Sequence, residues 1–238
     1  MGAMQTVTAV AHRGDPYRFR ENTVDSLRSA LDQGADAVEI DVRLTRDGVP
    51  VLLHDATLER LWEHDRPLLS LSADEVRGLT AGGVPTLDEA LAATDGSRVM
   101  VDLCGRVDRR TVRKIMDVVG QAGARDRVYY CAHAEAMLAV RAEDPSAEIA
   151  LTWTTLAPPR PALLEAIRPR WLNYRFSLID RDLAARVHHD GYLLSVWTPD
   201  TRRSLRRLLD LGVDSITTNR IDALHALRDG GRVHPRER

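Results

Sequence analysis

Residues 38–55 decide the fold, and their sequence is VEIDVRLTRDGVPVLLHD. Asp-Gly between two runs of alternating apolar residues is the strongest short-range signal for a β-hairpin with a two-residue turn. With Asp47 and Gly48 as that turn, counting outward along both strands places Asp41 directly opposite His54. The pattern therefore predicts an antiparallel hairpin in which these two residues are cross-strand neighbours.

The two faces of this hairpin differ in polarity. Side chains alternate along a strand, so Glu39, Asp41 and His54 are expected on one face. The other face would carry four apolar residues, Val42, Leu44, Val51 and Leu53. Carboxylates and a histidine backed by core are typical of a hard-metal site with an acid or base beside it. A surface hairpin with a solvated polar face fits the same pattern.

A second segment favours the functional interpretation. Residues 7–11 form a short apolar run that ends in His12-Arg13-Gly14. This ending places an imidazole and a guanidinium on a loop, where binding residues concentrate. We therefore expect a second cluster of functional side chains after the first strand.

Short β-branched strands alternate with amphipathic helical patterns along the chain. Strands are predicted at 7–11, 37–42, 98–103, 127–131, 148–153, 170–174, 192–197 and 213–217, with the hairpin return at 49–54. Helices are predicted at 23–33, 86–93, 109–121, 133–142, 160–168, 179–189, 201–211 and 220–228. Because the Asp-Gly connection is too short for a parallel crossover, the return strand must run antiparallel, which leaves eight βα units. This count predicts an α/β protein with a (β/α)8 TIM barrel, and a doubly wound open sheet is the alternative.

Two segments fall outside the alternation of this single predicted domain, 1–238. Residues 55–85 are predicted to form a short insertion, a lid or rim at the catalytic end of the barrel. The signature Ser72-Ala73-Asp74-Glu75 predicts that a short helix begins there. Residues 229–238 are expected to form a flexible tail.

The composition argues against several classes of protein. With 33 basic and 35 acidic side chains, a net charge of −2 offers no electrostatic basis for binding nucleic acid or an anionic membrane. No apolar run approaches the length of a membrane span, and the N-terminus lacks the pattern of a signal peptide. Cys104 and Cys131 lack metal-binding spacing and are expected to be reduced thiols. We expect a cytoplasmic enzyme without integral membrane association.

Three carboxylates in the strands predict a metal site. The active site of a barrel lies at the carboxyl ends of its strands, where Glu39, Asp41 and Asp102 would meet. Asp102 follows the apolar run Val-Met-Val, where a carboxylate is costly unless it is paired or bound to a cation. Three oxygen ligands favour Mg²⁺ or Ca²⁺ over Zn²⁺.

Two histidines and an arginine complete the predicted chemistry. A histidine side chain ordinarily changes charge near neutral pH, so His12 and His54 are candidates for an opposed acid and base. Arg13 offers a planar fork to a phosphate oxygen. A metal, an arginine and two histidines provide charge neutralisation, a base for the nucleophile and an acid for the leaving alkoxide. The residues therefore predict hydrolysis of a small-molecule phosphodiester.

Several strings of this sequence resemble the glycerophosphodiester phosphodiesterase family. They are AHRG at 11–14, ENT at 21–23, GADAVEIDV at 34–42, LTRDGVPV at 44–51, HDATL at 54–58, PTLDEAL at 85–91, SVWT at 195–198 and GVDSITTNR at 212–220. The resemblance implies a TIM barrel that cleaves a glycerophosphodiester to glycerol 3-phosphate and an alcohol with the help of a metal. By motif position it implies the following roles: His12 and His54 as the catalytic pair, Arg13 as the phosphate contact, Glu39 and Asp41 as metal ligands. Trp197 matches a family position and is expected to form an apolar wall for the substrate.

One position departs from the pattern of that family. The family usually has Glu-x-Lys in the third barrel strand, whereas this chain has Asp102-Leu103-Cys104. Aspartate keeps a carboxylate with a shorter reach, but Cys104 cannot replace a fixed positive charge. Arg106, two residues on, could swing into the site, but the sequence does not favour it as a replacement for that lysine.

Two alternative functions remain open at this point. One is a lysophospholipase D or another phospholipase-like activity on a longer-chain lipid. It would be favoured by a groove lined with aliphatic residues of the insertion, particularly Leu61, Trp62, Leu68 and Leu69. The other is a phosphate-ligand-binding protein that has lost turnover through the changes at Asp102 and Cys104.

Overall fold

The structure is a computed structural model that describes residues 7–105 and 107–230. Residues 231–238 of the predicted tail and Arg106 lie outside this range. The strands are β1 Thr8–His12, β2 Ala37–Leu44, β3 Pro50–Leu52, β4 Thr57–Leu58, β5 His64–Pro67, β6 Arg98–Leu103, β7 Val128–Ala132, β8 Ile149–Trp153, β9 Trp171–Arg175, β10 Leu193–Trp197 and β11 Ser215–Thr218. The helices are α1 Val24–Asp32, α2 Glu59–Trp62, α3 Ala73–Leu79, α4 Leu87–Ala93, α5 Arg109–Gln121, α6 Ala134–Glu143, α7 Pro161–Ile167, α8 Arg181–His189, α9 Arg202–Asp210 and α10 Ile221–Gly230.

Eight parallel strands close into a barrel. Strand β1 pairs with both β2 and β11, and β6 to β11 follow one another in chain order between them. This closure confirms the prediction of a (β/α)8 barrel and excludes the open doubly wound sheet. Strand β3 pairs with β2 alone and runs antiparallel to it, as an extension beyond the barrel.

Local capping and apolar patterning explain where the helices form. Each of α1, α4 and α8 begins at a side chain that accepts a hydrogen bond from a backbone N–H of the first turn: Thr23, Thr86 and Asp180. The helices outside the insertion, α1 and α4 to α10, bury their apolar sides against the outer face of the strands in one continuous core. None of the described helices combines the length and the apolarity that crossing a bilayer requires.

The interior of the barrel contains a separate apolar layer. It is formed by inward-facing side chains of six strands: Val10, Ala37, Met100, Tyr129, Cys131, Ala150 and Trp171. A packed layer of this kind is expected in a barrel of eight strands. The cavity described below opens on the side of this layer toward the carboxyl ends of the strands, and Met100 and Cys131 form part of its lining.

The predicted register of the hairpin is wrong by one residue. Val42 pairs with Leu52 and Arg43 with Val51, so Leu53 rather than His54 lies opposite Asp41. The loop has three residues instead of two, because Gly48 adopts a left-handed φ of 82° and the closing backbone bond joins residues 45 and 49. Asp-Gly is compatible with both loop lengths, and only the longer one gives this register.

This shift also corrects the predicted apolar face. A slip of one residue moves each side chain of the return strand to the other face. Val42 therefore shares the main core with Leu52, whereas Val51 and Leu53 belong to the core of the insertion. His54 follows the end of β3 and still reaches the barrel opening.

The insertion at residues 55–85 is a compact unit with its own small core. The predicted capping box is present, with reciprocal hydrogen bonds between Ser72 and Glu75 at the start of α3. Leu68 is buried, and Leu61 and Trp62 pack against the same cluster, which leaves only Leu69 of the predicted groove strongly exposed, at 73%. Three of the four side chains that would line a lipid groove thus stabilise the insertion itself.

Candidate active site

A cavity of about 530 Å³ opens at the carboxyl ends of the barrel strands. Its lining includes six of the side chains selected from the sequence: His12, Arg13, Glu39, His54, Asp102 and Trp197. The seventh, Asp41, is buried with 1% of its surface exposed, and its carboxylate contacts Arg13. The fold therefore brings all seven predicted site residues to one place.

Arg13 is held by two carboxylates at the edge of this cavity. Its left-handed φ of 59° turns the chain sharply at the end of β1. Nη1 donates a hydrogen bond to Glu21 Oε1 at 2.9 Å. Nε lies 2.9 Å from Asp41 Oδ2 as an ion pair without hydrogen-bond geometry. The guanidinium is therefore oriented before any phosphate arrives.

The carboxylates of two adjacent strands meet on one side of the cavity. Strands β2 and β6 are parallel neighbours, and Asp41 pairs with Asp102 in their register. Two residues earlier on the same inward-facing side, Glu39 pairs with Met100. Glu39 Oε2 accepts a hydrogen bond from the backbone N–H of Arg13 at 3.0 Å. Burial, reinforced by the neighbouring carboxylates, raises the pKa of Glu39 well above its ordinary value and the pKa of Asp102 to about 7. A cation placed among these groups would offset both burial and repulsion.

Cys104 also belongs to this cluster, although the sequence did not predict it as a site residue. Its Sγ donates to Asp41 Oδ1 at 3.1 Å. One ligand atom from each of Asp41, Asp102 and Cys104 lies within 4.8 Å of the other two. This group differs from the predicted trio by a thiol in place of Glu39. The signal was available in the spacing, since residues 102 and 104 are two apart and share a face of one strand end.

His12 is oriented by hydrogen bonds from the loops after β10 and β11. Its Nδ1 lies 2.9 Å from Asn219 Oδ1, and Asn219 Nδ2 donates to Asp200 Oδ2 at 2.7 Å. Because Asp200 accepts only, the amide oxygen of Asn219 faces the ring, so Nδ1 of the neutral imidazole carries the proton. Burial and the charge of Arg13 lower the pKa of His12, which keeps the ring neutral with Nε2 able to accept a proton.

His54 lies at the more open rim of the same cavity, with 45% of its side chain exposed. Its backbone carbonyl accepts from Arg43 Nε at 2.8 Å, and its Nδ1 is 2.7 Å from Asp55 Oδ1. Asp55 in turn pairs with Arg60 of α2, which also donates to Glu21. The insertion thus helps to position the second histidine.

The opposite side of the cavity is lined by uncharged polar side chains. Thr152, Asn173, Trp197 and Thr217 come from the four strands β8 to β11. Asn173 Oδ1, Trp197 Nε1 and Thr217 Oγ1 are buried without a hydrogen-bond partner among the described residues. Trp197 lies where the sequence placed it, and the other three were not selected because threonine and asparagine are unremarkable in a strand pattern.

Comparison with known proteins identifies the family of the chain that forms this cavity. A model of the "Glycerophosphoryl diester phosphodiesterase family" matches residues 12–223. A glycerophosphodiester phosphodiesterase of Caldanaerobacter subterraneus subsp. tengcongensis is 27% identical over 93% of this chain and 98% of its own length. One from Bacillus altitudinis is 24% identical over 92% and 97%. Human glycerophosphodiester phosphodiesterase 1 is 36% identical, but over only 36% of this chain and 30% of its own length.

Solved structures share the fold. A glycerophosphodiester phosphodiesterase of Parabacteroides distasonis superposes with a TM-score of 0.84 at 23% identity, covering 97% of this chain and 100% of its own. A phosphodiesterase of Oleispira antarctica in complex with the product sn-glycerol-3-phosphate also gives 0.84, at 24% identity and 93% and 96% coverage. The chain belongs to the glycerophosphoryl diester phosphodiesterase family, a family of phosphoric diester hydrolases.

Proposed function

We propose that this enzyme hydrolyses glycerophosphodiesters to glycerol 3-phosphate and an alcohol, with a divalent cation and two histidines. One observation carries the proposal: the carboxylates of β2 and β6, Arg13 and both histidines meet at a single cavity. The Oleispira antarctica relative, which holds sn-glycerol-3-phosphate as its product, supports the choice of substrate class.

The residues present fit a divalent cation. Glu39, Asp41 and Asp102 would hold it. Ligand atoms of Asp41 and Asp102 lie within 4.8 Å of one another, and Glu39 is the preceding inward position on β2. The Asp102 carboxylate makes no hydrogen bond or ion pair with another side chain among the described residues. When bound, the cation would neutralise charge on the phosphodiester oxygens and act as a Lewis acid. Arg13 would contact a second phosphate oxygen, since its guanidinium lines the cavity and is already oriented.

We assign the base to His12 and the acid to His54. The neutral ring of His12 accepts a proton at Nε2 from the attacking oxygen, which belongs either to water or to a neighbouring hydroxyl of the substrate. His54 donates a proton to the alkoxide as the bond between phosphorus and the leaving oxygen breaks. The Asp55 carboxylate forms an ion pair with the protonated ring, which suits a general acid. Trp197 would flank the substrate on the opposite side.

The test is an assay of the purified protein on three substrates: a glycerophosphodiester, a lysophospholipid and bis(p-nitrophenyl) phosphate. We expect the glycerophosphodiester to be cleaved fastest, with glycerol 3-phosphate as the phosphorylated product. Excess chelator should abolish turnover, and a divalent cation should restore it. A lysophospholipid cleaved faster would favour the lipid enzyme, and phosphate-ester binding without turnover would favour a binding protein. Full activity in chelator would contradict metal dependence.

A further inference from the structure

Cys104 lies where a cation held by the carboxylate cluster would contact it. One ligand atom each from Asp41, Asp102 and Cys104 fits within 4.8 Å, and both Asp102 and Cys104 line the cavity. Bonds of about 2.0–2.2 Å to oxygen and about 2.3 Å to sulfur are usual for a metal such as zinc. Two such bonds on one ion span at most about 4.5 Å, so the three ligand atoms would have to close slightly around a shared ion.

The backbone, and not only a side-chain rotamer, places the sulfur there. Asp41 and Asp102 are register partners on adjacent strands. Cys104 continues the face of Asp102 beyond the end of β6, and its N–H donates to Val42 O at 3.3 Å. The thiol is thus tied to the same two strands that supply the carboxylates.

Two further observations favour coordination over a purely structural thiol. Asp41 Oδ2 is already occupied by Asn22 and Arg13, while Oδ1 faces the Cys104 sulfur alone. The Asp102 carboxylate lines the cavity and makes no hydrogen bond or ion pair with another side chain among the described residues. Loss of the thiol proton would therefore free Asp41 Oδ1, and the Asp102 carboxylate is already free of side-chain partners among the described residues, so both can bind a cation beside the sulfur.

We propose that Cys104 is an additional metal ligand and that this site prefers a thiophilic divalent cation such as Zn²⁺ over Mg²⁺ or Ca²⁺. Binding replaces the S–H bond by a sulfur–metal bond and releases one proton to solvent, with no change in oxidation state. Oxygen ligands alone suit Mg²⁺ and Ca²⁺, whereas thiolate selects softer metals. The inference rests on the proposed metal dependence of the enzyme.

The test uses Co²⁺ as a spectroscopic probe for the metal-free protein. We expect a near-ultraviolet sulfur-to-cobalt charge-transfer band in the wild type that is absent in Cys104→Ser. The control is Cys131→Ser, which removes the other thiol, 2% exposed on β7, and should keep the band. The ratio of Zn²⁺ to Mg²⁺ affinity should fall at least tenfold in Cys104→Ser and not in the control.

A second measurement needs no variant. Alkylation of Cys104 by iodoacetamide in the wild type, followed by mass spectrometry, should be slowed by Zn²⁺ and not by Mg²⁺. Co²⁺ that binds without a charge-transfer band, or equal protection by both metals, would overturn the role of Cys104 while leaving a metal-dependent enzyme. Absence of any cation binding together with full activity in chelator would instead overturn the proposed function.

Discussion

The two sides of the cavity are built from the same repeating βα unit yet differ in chemistry. The side formed by β1, β2 and β6 carries His12, Arg13 and the carboxylates, and all of these except Asp102 have a charged or hydrogen-bonding partner for the side chain. The side formed by β8 to β11 carries neutral groups, three of them with an unpartnered buried atom. We infer that the charged side performs the chemistry and the neutral side shapes the space for the substrate.

The largest effect should follow from removing a charge on the catalytic side. Glu39→Gln keeps the shape of the side chain but removes one negative charge from the cluster. Because a metal contributes several kcal/mol to transition-state stabilisation, we expect turnover to fall by about a thousandfold or more. The cation-induced rise in melting temperature should shrink as well.

The matched control makes the same chemical change at the cavity mouth. Glu135 also lines the cavity but is exposed, on the helix after β7. Glu135→Gln should leave both turnover and cation-induced stabilisation near the wild-type values. Equal losses in the two variants would mean that the overall charge of the cavity, and not a metal position, controls activity.

The next largest effect concerns the two histidines, whose variants should differ in how the loss of turnover depends on the leaving group of the substrate. His12→Ala and His54→Ala should each lower turnover of a glycerophosphodiester by about 10²–10⁴-fold, as expected for a general acid or base. Nitrophenolate needs little protonation, so His54→Ala should lose much less on bis(p-nitrophenyl) phosphate, whereas His12→Ala should lose activity on both substrates. Selective rescue of His12→Ala would reverse the assignment, and losses below about tenfold in both would make the histidines structural.

Removing a hydroxyl from the neutral side should affect neither the chemistry nor the stability of the fold. Two adjacent threonines of β11 test this, because Thr217 lines the cavity and Thr218 does not. Thr217 Oγ1 lacks a partner among the described residues, whereas Thr218 Oγ1 donates to Pro199 O at 2.7 Å and accepts from Arg220 N at 3.0 Å. Removing a partnered buried hydroxyl costs about 1–3 kcal/mol, while removing an unpartnered one in an isosteric change is neutral or stabilising. Thr218→Val should therefore lower the free energy of unfolding, and Thr217→Val should leave it unchanged or raise it.

Chemical denaturation of the two variants measures this difference. Turnover of Thr217→Val should stay within about threefold of wild type, far less than the loss expected from a catalytic group. Equal destabilisation of both variants would mean that Thr217 has a hydrogen-bond partner after all. A large loss of turnover in Thr217→Val would mean that a group on the neutral side takes part in the reaction.

The same contrast explains what could be predicted from the sequence. A carboxylate in an apolar strand is conspicuous, so the residues of the charged side could be predicted. The regular alternation of strand and helix patterns predicted the barrel. The contacts of His12 with Asn219 and of Cys104 with Asp41 join positions 207 and 63 residues apart. Local spacing relates Cys104 to Asp102 on one strand, but it specifies neither of these long-range contacts. The hairpin register failed for a local reason, because Asp-Gly fits a two-residue and a three-residue loop equally well.

The smallest predicted effect concerns the ion pairs that hold His54 at the rim. A hydrogen bond from Arg60, with a further one from His54, lowers the pKa of Asp55 to about 2. Because this folded-state value lies below the ordinary pKa of 3.8, the pair stabilises the protein above about pH 4 and loses that contribution as the pH falls through about 2.

Arg60→Ala should therefore lower the free energy of unfolding by about 0.2–1 kcal/mol at pH 6, the range of a partly exposed ion pair. Denaturation at a series of pH values should show the difference from wild type vanishing toward pH 2. Arg206→Ala is the control, since this exposed arginine of α9 makes no ion pair with another described residue, and a difference that persists at pH 2 in Arg60→Ala would assign the loss to packing of the arginine stem.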